Sequence, residues 1–71
     1  MNKHSERWVL QIIKDIDEPF TSQNVKSALL DKHGTAYIPT THGLGQFLGK
    51  VCIVVGKHNG SFLYKVRVNE D

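Results

Sequence analysis

The chain predicts a small α+β domain, three helices followed by a C-terminal two-stranded β-hairpin, and three observations predict it. Apolar residues recur at helical spacing in three successive segments. The second and third of these open on threonines, and the first carries Ser5 at its start, all residue types whose side chains can cap free backbone N–H groups. The last third holds two strand-like runs around Asn59-Gly60, a pair suited to the two positive φ angles of a type I′ turn.

The first helix is expected over Ser5 to Ile16, with Ser5 as its cap. At about 100° per residue, Trp8, Val9, Ile12, Ile13 and Ile16 fall in one stripe, and Leu10 points away from it. Asp17-Glu18-Pro19 ends the helix, because proline disfavours helical backbone at the residue before it. Phe20-Thr21 is expected as a very short strand. Thr21 then caps a second helix over about Ser22 to Lys32, with Phe20 and Val25 at the spacing of a hydrophobic staple. Its buried residues are expected to be Val25, Ala28 and Leu29, and Gly34 ends it in a left-handed turn.

An extended link, Thr35 to Pro39, brings Tyr37 and Ile38 to the core. Thr40 or Thr41 caps the third helix, which runs to about Lys50 and buries Leu44, Phe47, Leu48 and Val51. Gly43, Gly45 and Gly49 weaken it by up to ~1 kcal/mol each relative to alanine, so packing must hold it. In the hairpin, Cys52–Lys57 pairs with Phe62–Val68, and an unbroken two-residue turn sets Val55 opposite Tyr64 and Ile53 opposite Val66. The face carrying Ile53, Val55, Tyr64, Val66 and Val68 is expected to meet the helices, with Phe62 near the tip. The other carries Cys52, Val54, Leu63, Lys65 and Arg67.

Seventy-one residues make one domain, 1–71, with an ordered core expected at about 5–68. A chain this short buries only ~60% of its unfolded surface and leaves little room for a deep substrate pocket. The expectation is therefore a binding domain and not an enzyme, with no effector-binding second domain. The single cysteine, Cys52, forms no internal disulfide. No run approaches the ~18 apolar residues of a membrane span. The expected setting is cytoplasmic, nucleoid or nuclear, not secreted and not in a membrane.

The net charge of +2 conceals an asymmetry. From Met1 to Gly34, five basic residues balance five acidic ones. From Thr35 to Asn69 there are four basic residues, Lys50, Lys57, Lys65 and Arg67, and no acidic residue. An all-basic half beside a neutral one points to a polyanionic partner.

The order helix, helix, helix, hairpin over residues 5–68 resembles the winged-helix family of helix-turn-helix domains. The resemblance implies a nucleic-acid-binding protein, foremost a DNA-binding transcriptional regulator or chromatin-associated protein, with RNA or ribosome association and protein docking as alternatives. It implies that the third helix enters the major groove and that the hairpin wing touches the flanking backbone or minor groove. The matching segments are Thr40–Lys50 and Lys57–Ser61. The link from His33 to Pro39 is longer than a tight helix-turn-helix turn, which departs from the pattern.

Read on chemistry alone, Thr40 and Thr41 with the helix start can hold a phosphate. His42 and Gln46 offer donors and acceptors to base edges, and Lys50 reaches a phosphate or guanine. Gly49 allows close backbone approach, or serves internal packing with Gly45. Lys57, His58 and Asn59 at the tip, with Lys65 and Arg67 behind them, form a stripe for phosphates or an ordinary charged hairpin. Four phosphate contacts would give a salt slope of about −3 to −4 in log K against log salt. Leu10, Leu30, Val54 and Leu63 are candidates for a homodimer or protein-partner surface. No catalytic set, cofactor motif or metal spacing stands out: His4, His33, His42 and His58 are scattered, and Gly43-Leu44-Gly45 lacks the G-K-[ST] of a phosphate loop. Cys52 reads as a small packing residue, and Asp15, Asp17 and Glu18 as a solvated cluster at a helix end.

Overall fold

In the computed structural model, which describes residues 2–36 and 38–67, the chain runs α1 (Lys3–Asp15), α2 (Ser22–His33), α3 (Thr41–Val51), β1 (Cys52–His58) and β2 (Ser61–Val66). Three helices followed by an antiparallel hairpin make a small α+β domain, the order expected of a winged-helix topology. The expected roles of Tyr37 and Val68 fall outside the described residues.

Local chemistry accounts for most helix ends. The Thr21 hydroxyl accepts the Asn24 N–H at 3.2 Å, while the Asn24 side chain accepts the Thr21 N–H at 2.9 Å. This reciprocal box starts α2, and Phe20 and Val25 are both buried beside it. Gly34 ends α2 at φ 67° and ψ −147°, outside the left-handed helical turn expected of it but in a region that only glycine readily adopts. Thr40 caps α3, its hydroxyl accepting the Gly43 N–H at 3.0 Å.

The start of α1 differs from expectation. Asn2 is the cap, accepting the His4 N–H at 2.8 Å, and Ser5 lies inside the helix, 1% exposed. Asparagine and serine cap equally well, so two candidates three residues apart are not separated by residue type.

One core joins every element. Val9, Ile12 and Ile13 of α1 meet Val25 and Leu29 of α2 and Leu44 and Leu48 of α3, closed by Phe20, Cys52 and Tyr64. Trp8, Ile16, Ala28, Ile38, Phe47 and Val51 pack around it, half-buried. Phe20 also exchanges two main-chain hydrogen bonds with Tyr64, at 3.0 and 2.7 Å, which is the short third strand the sequence suggests.

The hairpin corrects the expected register. Asn59 (φ 51°) and Gly60 (φ 82°) form the turn, and His58, Lys57 and Gly56 pair with Ser61, Phe62 and Leu63 as expected. A bulge at Val55 then shifts the ladder, setting Val54 opposite Tyr64, Ile53 opposite Lys65 and Cys52 opposite Val66. Cys52 is turned inward (2% exposed), while Ile53, Val54 and Val55 stand 44%, 52% and 49% exposed, so β1 leaves the core directly after its first residue. The reason lies at the other end of β1. Cys52 is the C-cap of α3, its N–H donating to the Leu48 carbonyl, so the strand leaves the helix with no linker and Cys52 is drawn into the core.

Candidate functional site

Tyr64 bonds Phe20 on one side of β2, so its N–H and C=O point away from β1. Val54, directly opposite, must in an antiparallel ladder turn its own N–H and C=O outward. The outer edge of β1 is therefore unpaired at Val54, beneath the exposed side chains of Ile53, Val54 and Val55.

The hairpin tip and the start of α3 border an open, shallow groove of about 450 Å³. Thr41, His42, Gly45 and Gln46 line one wall, Gly60, Ser61, Phe62 and Tyr64 the other, with Ser22 of α2 at one end. No side chain of this lining carries a carboxylate, ammonium or guanidinium. Lys57 stands at the rim: it faces Phe62 across the ladder, and its Nζ lies 5.2 Å from that ring's centroid.

Of the residues singled out in the sequence, the structure gathers Thr41, His42 and Gln46 in the groove, with Lys57 beside it. Gly49 and Lys50 continue the exposed face of α3 one turn further on. Thr40 is exposed, and its hydroxyl accepts the cap bond from Gly43. His58 and Asn59 are exposed at the turn, where Asn59 Nδ2 lies 3.3 Å from His58 Nε2.

Lys65 and Arg67 lie elsewhere. Alternation along β2 puts them on the face away from Phe62 and Tyr64, and Lys65 lines a separate hollow with Glu18, Pro19 and Val55. The expected phosphate stripe is thereby divided, with Lys57, His58 and Asn59 at the tip and Lys65 and Arg67 on the other face. The acidic cluster is also not wholly solvated, since Glu18 Oε2 accepts the Val66 N–H at 2.7 Å and ties the turn after α1 to the root of the hairpin. Charge separated along the chain is thus mixed again in space at that root.

Leu10 and Leu30 are exposed, and Leu63 is half-buried. Ser22, Gly60, Ser61, Phe62 and Tyr64 line the groove without having been singled out as site residues in the sequence. Parity along β2 does place Phe62 on the face of Tyr64, and its nearness to the turn carries it past the helices that cover Tyr64.

Gly45 and Gly49 do not serve internal packing. A Cβ built on either meets no atom within 4 Å. Gly45→Ala is expected to stabilise the domain by about 0.5–1 kcal/mol through helix propensity while narrowing the groove. Gly49→Ala should stabilise similarly and leave the groove unchanged. Urea midpoints for both variants, beside a binding titration, check the two halves of this statement.

Burial pushes the Cys52 thiol up, the nearby Glu18 carboxylate adds to the effect, and Arg67 opposes it. A thiol so placed stays protonated at neutral pH and packs as a small apolar group. Among the described residues no three His, Cys, Asp or Glu side chains gather as a metal site, and no helix is long and apolar enough to cross a membrane.

No protein-family model matches the chain, and neither does any curated protein or any solved structure.

Proposed function

We propose that this chain is a winged-helix domain that binds nucleic acid, duplex DNA foremost, through the exposed face of α3 and the hairpin tip, and acts in transcription regulation or chromatin. One observation carries the reading: His42 and Gln46 on α3 share a groove free of carboxylates with the hairpin tip, Lys57 lies against Phe62 of its lining, and Lys50 is exposed one turn further along α3. Such a surface offers donors and acceptors to base edges and cations to the phosphates on either side. Lys65 and Arg67, beside Glu18, contribute little to it.

Anisotropy titration of a random duplex at roughly 50 and 200 mM salt tests the reading, with Kd expected at ~10⁻⁶–10⁻⁴ M at physiological salt. Two engaged lysines give a slope of about −2, against about −3.6 for four cations. Lys57→Ala should reduce the slope by about 1, and Lys65→Ala should leave it alone. Absence of binding even at the lower salt would refute the proposal.

A protein-docking role is the second reading, favoured by the exposed Ile53, Val54 and Val55 along the unpaired edge of β1. Edges of that kind accept added strands. A domain that ignores every nucleic acid offered would point to it.

A further inference from the structure

We infer that Phe62 is a stacking platform for an unpaired nucleobase, so that the groove prefers a duplex carrying a bulged or splayed-out nucleotide to an uninterrupted one. The inference rests on the nucleic-acid reading of the groove and deepens it.

The lining itself argues for a base. Phosphates call for cations, yet no lysine or arginine lines the groove: it holds two aromatic rings, His42, Gln46, hydroxyls and glycine backbone. That is the complement of an uncharged, flat, hydrogen-bonding group. Phe62 is 48% exposed although wholly apolar, and contacts with phosphates leave this exposure without a use. Within a continuous duplex every base face is covered by its neighbours, so only an unstacked base can meet the ring.

The ring is also held ready. Its main chain sits in the hairpin ladder beside the closed turn, and its ring meets that of Tyr64 edge to face, with centroids 6.4 Å apart and planes at 69°. Tyr64 is buried and bonded through its backbone to Phe20, so the platform stands on the core. Lys57 lies over the ring as a cation on a π-face. An incoming base takes that place, and the flexible lysine swings to the phosphate of the same nucleotide. His42 and Gln46 on the opposite wall supply donors and acceptors for the base edge. Gly45, with open space where a Cβ would stand, leaves room between them.

The test compares a duplex holding one bulged 2-aminopurine with the same duplex lacking the bulge, each prepared in DNA and in RNA. The bulged form is expected to bind roughly 5- to 100-fold more tightly, as base–aromatic stacking predicts, and to change its 2-aminopurine emission as the base exchanges its neighbours for the ring. Phe62→Ala and Phe62→Leu should erase that preference, the ratio of bulged to plain affinity falling to about one, and Phe62→Trp should retain it. Leucine keeps apolar bulk without a π-face, so its result separates stacking from simple contact. A preference seen in either polymer and lost with the ring supports the proposal. Equal binding of bulged and plain duplexes, or a preference that survives Phe62→Leu, overturns it while leaving the groove reading intact. Failure to bind any of the four at low salt overturns both.

Discussion

Phe20→Ala is expected to remove about 3–5 kcal/mol of stability and leave much of the chain unfolded at room temperature. A domain of 71 residues has about 4–11 kcal/mol in all, so the loss is comparable to the whole. Phe20 is 1% exposed and is, among the described residues, the largest side chain buried that deeply. It packs against the Tyr64 ring at 6.3 Å and closes the staple onto Val25 at the start of α2. Alanine keeps both main-chain bonds to Tyr64, so the effect isolates the side chain. Thermal and urea unfolding followed by far-ultraviolet circular dichroism measures it, with Phe20→Leu, a smaller truncation that keeps apolar bulk, expected to lose less than the alanine variant. An alanine variant within about 1 kcal/mol of the parent would mean that the core does not close around this residue.

Gln46→Glu carries the largest expected effect on binding, a loss of at least tenfold in affinity for duplex DNA at low salt. The two side chains are isosteric and position 46 is exposed, so the fold should be unchanged. What changes is the sign of the groove: a carboxylate enters a lining that has none, opposite the phosphates that Lys50 and Lys57 would hold. Gln11→Glu is the matched control, since Gln11 is exposed on α1 and the net charge falls by the same amount. A loss in Gln46→Glu alone assigns the effect to position. Equal losses would reduce it to net charge and remove the case for this surface.

The sequence made legible those features whose causes are local. Thr21, Thr40 and Gly34 act within one helical turn of themselves, and Asn59-Gly60 needs no partner to favour positive φ. The stripe of α1 was readable because its period alone defines the buried face. What stayed hidden depends on distant segments. The bulge at Val55 answers to the direct passage of α3 into β1, which pulls Cys52 inward from one end while the turn sets register from the other. One residue must be surplus between them, and no run of apolar residues announces where. Glu18 bonds Val66, 48 positions away, so it looked like a solvated charge. The candidate site was half legible for the same reason. His42 and Gln46 follow from the helix face, but the wall they face, Phe62 included, depends on where the hairpin leans.

Trp8, the only tryptophan in the chain, stacks face to face on His33, with ring centroids 3.8 Å apart and planes within 5°. His33 closes the end of α2 opposite to Ser22, where the groove begins, about 16 Å along the axis. The molecule thus contains its own optical gauge of α1 against α2, remote from any ligand held near α3. Indole emission should change when Phe20 is truncated and stay constant when Gln46 is altered, so a single fluorimeter trace distinguishes a chain that has come apart from one that has only let go.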